Sequence, residues 1–176
     1  MIRDELIPLI ARHLNPSVYV ELGIGYAGSS LLSNMIQSLP NAEIWGIDIV
    51  DMTEQFAGRN ANIFTGNTVE FAQYWQDHQT GRTIDLIFID ADHSCEAVLF
   101  DVEDFFPHLT PDTGVMILHD TWPVAEDWTG PDKSGTAHRV VKILRAEYAN
   151  EMEIFTLPIH HGLTFIRKRG DDWRNE

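Results

Sequence analysis

Cysteine is nearly absent: Cys95 stands alone, so no intrachain disulfide can form. One lone thiol fits a reducing compartment, and the location it suggests is cytoplasmic. Basic residues are also scarce, with 12 Lys plus Arg against 27 Asp plus Glu and a net charge of -15. They form no cluster, which argues against nucleic acid and anionic membrane surfaces as partners. A small neutral or cationic molecule is compatible with that charge. No stretch approaches the roughly 18 apolar residues that span a bilayer. The opening Met1-Ile-Arg-Asp-Glu-Leu6 has early acids and no apolar run, so no signal peptide is expected. His-x-x-x-His pairs, cysteine clusters and a Gly-x-Ser-x-Gly elbow are missing, which removes the usual zinc and hydrolase signatures. Repeats and low-complexity tracts are missing too.

What is present is one domain of 176 residues, 44% hydrophobic. Residues 1–16 read as an N-terminal helix ended by Asn15-Pro16, with Ile2, Leu6, Leu9, Ile10 and Leu14 at helical spacing. Residues 17–168 form the core, and 169–176 are a polar, loose tail. Short apolar strands are expected at 18–22, 43–48, 84–90 and 114–120, and 62–67 reads as a third strand and its turn, with helices between them. Residues 51–60 are irregular, with a short helix as one reading. Ser94 is placed to cap the helix that carries Val98, Val102 and Phe105. A further helix carries Val140, Val141, Ile143, Leu144 and Tyr148. Residues 152–157 and 163–168 then pair as an antiparallel hairpin around Pro158–Gly162. Such alternation gives an α/β domain, a parallel sheet with helices on both faces.

The chain is organised around Val18-Tyr-Val-Glu-Leu-Gly-Ile-Gly-Tyr-Ala-Gly-Ser-Ser30. A buried strand runs into glycines 23, 25 and 28, and Ser29 and Ser30 open a helix. Glycine admits a close-approaching ligand, and a helix N-terminus offers free N–H groups. Gly23-x-Gly25-x-x-Gly28 alone matches the dinucleotide fingerprint, so a nicotinamide oxidoreductase is the alternative class. Glu21 at the strand end disfavours a pyrophosphate and suits a cationic ligand. Asp48 ends the next strand, at about the 20-residue offset where an acid meets ribose hydroxyls. A nucleoside with positive charge near the glycine turn is implied.

Ligands in an open α/β sheet bind beyond the carboxyl ends of the strands. The polar residues there are Glu21, Asp48, Asn67, Asp90 and Asp120. Asn67 and Thr68 follow strand three and can read an adenine edge or cap a helix. Ile89-Asp90-Ala-Asp-His93-Ser94 and Ile117-Leu-His119-Asp120-Thr-Trp122 place acids and histidines on adjacent strands. Strands lie about 4.8 Å apart, so Asp90 and Asp120 can converge on one point. Such a pair shares a proton or holds a cation: Mg²⁺ or Ca²⁺ on oxygen alone, Mn²⁺ or Fe²⁺ if His119 joins. The loop 121–135 is long for its class, and Trp122 and Trp128 are candidates for a substrate wall. His13, His78 and His108 read as exposed, His138 as solvated, and His160 and His161 as polar hairpin residues.

The glycine stretch resembles the first motif of class I S-adenosylmethionine-dependent methyltransferases, and Glu43-Ile-Trp-Gly-Ile-Asp48 resembles their second. Phe88-Ile-Asp-Ala-Asp-His-Ser-Cys-Glu-Ala-Val98, with His119-Asp120 beyond, resembles the small-molecule O-methyltransferase subgroup. Macrocin-type sugar methyltransferases and cephalosporin-hydroxylase-like proteins are its relatives. The resemblance implies a Rossmann-like doubly wound sheet of seven strands, order 3-2-1-4-5-7-6, with strand seven antiparallel. It implies S-adenosylmethionine held by Glu21, Gly23, Gly25, Ser29, Asp48, Asn67, Thr68 and Asp90. It implies methyl transfer to a small-molecule hydroxyl, with Asp90, His93, His119 and Asp120 as the catalytic group. It also implies a divalent metal, Mg²⁺, at Asp90 and Asp120. His119 stands where some metal-binding relatives carry an acid, and Thr121 where catechol-type enzymes carry an Asn ligand. A metal-dependent hydroxylase-like relative, or a non-catalytic cofactor-binding one, is the further alternative. The oligomeric state is not fixed, and a homo-oligomer is compatible.

Overall fold

A computed structural model describes residues 2–25, 30–130 and 132–170. Gly28 and Ser29, named above for the cofactor turn, and the tail from residue 171 onward lie outside the described residues.

Seven strands form one sheet: β1 (Val18–Leu22), β2 (Glu43–Asp48), β3 (Asn62–Thr65), β4 (Leu86–Ile89), β5 (Val115–His119), β6 (Met152–Leu157) and β7 (Leu163–Lys168). Their spatial order is β3-β2-β1-β4-β5-β7-β6. Pairing is parallel from β3 to β5, and β7 inserts antiparallel between β5 and β6. This is the order and polarity that the resemblance implied.

The central strands are apolar apart from Glu21 in β1, because both faces are covered. Every residue of β1 and of β4 is buried. Val18, Val20 and Leu22 meet the face covered by α3 (Thr68–His78), α4 (Cys95–Phe105) and α5 (Val140–Glu147). Tyr19, Ile44, Leu86 and Phe88 meet the other face, under α1 (Ile2–Leu14) and α2 (Ser30–Ser38). None of the described helices is long and apolar enough to cross a membrane.

Helix α1 carries Pro8 in its interior, which removes one N–H from the helical ladder. The carbonyl left without its usual partner is that of Asp4, four residues earlier. Asn34 of α2 donates its side-chain amide to that carbonyl at 3.1 Å. The first turn of α1 is thus fastened to α2, while Ile7 and Ala11 bury its apolar stripe.

Several local expectations change. Residues 53–60 form turns, with Met52 and Phe56 buried against the α1–α2 face, so no helix forms there. A 3-10 turn at Ala137–Arg139 precedes α5, and it places His138 half-buried rather than solvated. His108 is half-buried as well. The cause is the same for both: tertiary packing covers a polar residue whose local sequence looks solvent-facing. His13 and His78 are exposed.

Candidate active site

Two pieces meet at the carboxyl ends of the strands. The first is a cavity of about 420 Å³ lined by Gly23, Gly25, Asp48, Asn67, Thr68 and Asp90, among others. Its floor is made by backbone. Gly23 has φ +82, and a Cβ there would lie 2.3 Å from the Asp90 carbonyl oxygen. Only glycine lets β1 and β4 approach each other at this corner. Asp48 spans the turn: one carboxylate oxygen accepts from Gly25 N at 2.9 Å and the other from Val50 N at 2.9 Å. Asn67 caps α3, accepting from Glu70 N at 2.9 Å, while the Glu70 carboxylate accepts from Asn67 N. The cap occupies the Asn67 side-chain oxygen and leaves its amide NH₂ for the cavity. Asn67→Ser preserves the cap and deletes that amide. We expect unchanged thermal stability and at least a fivefold weaker affinity for S-adenosylhomocysteine; equal affinity would assign Asn67 to the helix alone.

The second piece is a knot of charges beneath the end of β4. Asp90 Oδ1 faces His119 Nδ1 at 3.1 Å and His93 Nε2 at 3.2 Å. Asp120 Oδ2 faces the same two nitrogens at 3.2 and 3.4 Å. Asp120 has a left-handed backbone (φ 58), which turns its carboxylate back toward β4. Asp90, His119 and Asp120 each offer one ligand atom, all within 4.8 Å of one another.

Burial alone would push the Asp90 carboxyl up, but the hydrogen bonds of His119 and His93 and the charges of His119 and Arg3 hold it well below the usual range. Burial likewise opposes the lowered Asp120, and His119 and Ser134 outweigh it. The Asp90 hydrogen bond raises His93 to about 9 against its own burial. Burial lowers His119, yet the bonds to Asp120 and Asp90 bring it to about 9. With no metal bound, the two carboxylates are thus neutralised by imidazolium groups.

Three contributors were not visible in the sequence. Arg3 reaches from α1 to Asp90 Oδ2 at 2.5 Å, steadied by Asp4 and by the Phe88 ring beneath it. Ser134 Oγ donates to Asp120 Oδ1 at 2.7 Å. The Lys133 carbonyl accepts from His93 Nδ1 at 2.6 Å. The long loop 121–135 is therefore folded onto the knot, and Thr136 N donates to the His93 carbonyl to close it.

The loop's outer side carries Trp122, Val124 and Trp128, all exposed. The hairpin between β6 and β7 leans on it. His161 packs on Trp128 with ring centroids 4.1 Å apart, and His160 lies 6.4 Å from the His119 ring. His160 and His161 both take left-handed backbone. Both are half-buried, His160 beside the His119 ring and His161 against Trp128, rather than plain polar loop residues.

Glu21 is not among the described residues that line the cavity. It is 1% exposed, on the α1 face of β1, and accepts from the Tyr19 hydroxyl at 2.7 Å. Burial pushes its carboxyl up to about 8, against the pull of Tyr19 and Arg3. Near neutrality it is largely a neutral acid in the unliganded protein, whereas the sequence reading treated it as an anion. A raised folded-state pKa means that the folded state binds the extra proton. This group's contribution to stability therefore falls as pH rises from about 4.5 to about 8, then levels. Glu21→Gln is expected to flatten that slope, gaining about 4 kcal/mol over wild type between pH 5 and pH 9. Denaturant melts of both proteins across that range check it; parallel curves would reject a neutral Glu21.

Strand order, an antiparallel seventh strand and a cavity at the strand ends define a Rossmann-like class I S-adenosylmethionine-dependent methyltransferase fold. A family model described as "Methyltransferase domain" matches residues 20–121, and the chain belongs to that family. Membership displaces the nicotinamide reading of the glycine turn. A sequence search of curated proteins found no match. Solved structures with the same fold include the S-adenosylhomocysteine-bound methyltransferase PaMTH1 of Podospora anserina. It has TM-score 0.72 and 18% identity, over 96% of this chain and 79% of that one. The O-methyltransferase TomG of Streptomyces achromogenes, solved with S-adenosylmethionine, has TM-score 0.72 and 15% identity, over 96% and 80%. MycE of the mycinamycin pathway, solved with Mg, S-adenosylhomocysteine and mycinamycin VI, has TM-score 0.68 and 22% identity. The match covers 94% of this chain and only 50% of MycE.

Proposed function

We propose that this domain transfers a methyl group from S-adenosylmethionine to a hydroxyl oxygen of a small molecule, as a member of the small-molecule O-methyltransferase subgroup. One observation carries the reading: Asp90 lines the cofactor-sized cavity and also anchors the histidine–aspartate knot. A donor bound along the strand ends would thus present its reactive end to a cluster of proton-handling groups.

The residues fit the cofactor. A volume of about 420 Å³ is in the range of small-molecule sites. Gly23 and Gly25 keep side chains out of the turn, Asp48 faces the ribose hydroxyls, and Asn67 and Thr68 border the adenine. Ser29, which follows the glycines in the sequence, lies outside the described residues and stays a cofactor candidate on its sequence position alone. Glu21 is buried in β1 two residues before Gly23, bonded by Tyr19 and within the field of Arg3. S-adenosylmethionine supplies an electrophilic methyl on a positively charged sulfur. The protein's share is alignment of the acceptor oxygen with that methyl, plus removal of one proton.

For the proton, His93 is the favoured acceptor in its neutral form, which its rise to about 9 makes the minor form near neutrality. It is partly exposed, its Nδ1 is fixed by the Lys133 carbonyl, and its Nε2 points into the knot. His119 is more deeply buried and backs it. A divalent metal held by Asp90 and Asp120 would acidify the hydroxyl directly, and the donor set of Asp90, His119 and Asp120 fits such an ion. The exposed Trp122, Val124 and Trp128 are the acceptor's apolar wall.

Two measurements test the proposal. Calorimetry with S-adenosylhomocysteine should show one site per chain in the micromolar range. A library of hydroxylated small molecules, incubated with radiolabelled methyl donor, should yield a methyl ether. No binding of S-adenosylhomocysteine by folded protein would end the reading.

A further inference from the structure

We infer that Asp101 of α4 is a specificity-determining positioning residue for the cofactor: from behind the cavity it fixes the Thr68 hydroxyl as a hydrogen-bond acceptor toward the ligand, and so selects a 6-amino purine over a 6-oxo purine. The inference rests on the proposed function, since it takes the Asn67–Thr68 corner as the nucleobase end of the donor site.

Asp101 is the one buried acid among the described residues that the candidate site leaves unused. Asp4, Glu21 and Asp120 are buried too, but each belongs to the groups around Arg3 or to the charge knot. Asp101 is 3% exposed and sits where α4 packs on α3. Its Oδ2 is buried without a hydrogen-bond partner among the described residues, and the Thr68 hydroxyl is the donor to its carboxyl. Burial pushes that carboxyl up to about 7; the Thr68 hydrogen bond pulls it down, and Asp104 and Asp92 push it further up. A buried carboxyl with a bare oxygen destabilises the fold, and an apolar side chain of the same shape would not. The fold is thus less stable for having Asp101, and the one group that Asp101 orders is a hydroxyl bordering the cavity.

Thr68 lines the cavity as the first residue of α3, beside Asn67. A threonine hydroxyl has one proton and two lone pairs, and a free one rotates to donate or to accept. Bonded to Asp101, its proton points away from the cavity and its lone pairs remain for the ligand. The donation survives in both protonation states, because a neutral carboxyl still has an accepting oxygen. Asn67 is fixed in the opposite sense. Its oxygen accepts from Glu70 N in the helix cap, so its NH₂ is the group left to donate. The corner therefore offers a donor beside an acceptor. The edge of adenine carries the complement, a ring-nitrogen acceptor beside an amino donor. Hypoxanthine reverses both, with a ring N–H beside a carbonyl oxygen, and would leave two polar pairs opposed.

Calorimetry on the full chain compares S-adenosylhomocysteine with S-inosylhomocysteine, which differ at that edge. Wild type should bind the adenine form at least about tenfold more tightly. Asp101→Leu should cut that preference at least about fivefold, with a thermal midpoint unchanged or raised by roughly 2 to 4 °C. A merely structural Asp101 would lower the midpoint and leave the preference as it was. Thr68→Val should lose the same preference. Adding Asp101→Leu to it should change the ratio by less than about twofold, since both act through one hydroxyl. Asp101→Asn keeps an accepting oxygen and serves if Asp101→Leu does not fold; its preference should lie between those of wild type and Thr68→Val. Equal binding of the two ligands by wild type, a wild-type preference in the Asp101 variants, or additive losses in the double variant overturns the inference and leaves the methyltransferase reading intact. Wild-type protein that binds neither ligand overturns both.

Discussion

Asp90→Asn is expected to lower methyl transfer by about a thousandfold, the largest single loss in the molecule. Asp90 is where every element of the site meets. Oδ2 carries Arg3 from α1, and Oδ1 carries His93 from the β4–α4 turn and His119 from β5. An amide keeps the size but has one acceptor oxygen instead of two, and no charge. Whichever way it is flipped, an NH₂ group meets a cation: Arg3 on one side or the imidazoles on the other. Loss of oriented proton transfer alone is worth about 10²- to 10⁴-fold, and loss of acceptor alignment adds to it. A second readout needs no acceptor molecule. Without metal, both imidazoles owe much of their rise to about 9 to Asp90. In the Asn variant their NMR titration midpoints should move down, since a lost negative neighbour favours the neutral ring. Cofactor affinity should change less than tenfold, because the main cavity contacts lie at Asp48 and the glycine turn. Wild-type turnover with Asn at this position, or unmoved imidazole midpoints, would show that Asp90 is only scaffolding.

The sequence made the sheet legible because its central strands are buried on both faces. β4 reads as an unbroken apolar run that ends before Asp90, β1 as an apolar run with Glu21 near its end, and the rule for open α/β sheets then points to Glu21, Asp48, Asp90 and Asp120. The antiparallel end of the sheet was legible from the short link Pro158–Gly162. The order of the strands came from resemblance, since periodicity carries no information on which strand lies beside which.

What stayed hidden depends on long-range packing. Arg3 and Asp90 are 87 residues apart, and only the docking of α1 on α2 joins them. Pro8 inside a helix was the available hint, since the carbonyl it frees must find a partner elsewhere. Ser134 and Lys133 lie in a stretch that reads as loop. Their value comes from the path by which 121–135 returns to His93 before α5 begins. Glu21 shows the opposite error. Its position was legible and its charge was not, because ionisation depends on burial and the sequence prints only the residue type.

Asp48→Ala is expected to weaken S-adenosylhomocysteine binding about a hundredfold without unfolding the protein. Asp48 is half-buried and lines the cavity, and its two oxygens accept from Gly25 N and Val50 N. Hydrogen bonds to a charged acceptor contribute about 1.5 to 3 kcal/mol each, and alanine removes both. Part of that loss falls on the glycine turn, which would have to be ordered by the ligand instead. About 3 kcal/mol passed on to binding corresponds to roughly a hundredfold in affinity. The backbone bonds do not exhaust the carboxylate. Each oxygen has a second lone pair, so Asp48 can brace the turn and accept from ribose hydroxyls at once. Asp48→Asn separates the two roles. It keeps one acceptor oxygen, so an intermediate loss is expected, with the turn partly held and the paired contact to two hydroxyls broken. Calorimetry on the three proteins, with deoxyadenosyl analogues of the ligand, gives the ordering wild type, Asn, Ala. If alanine binds within threefold of wild type, Asp48 is merely a brace for the turn, and the ribose must be held from somewhere else along the strand ends.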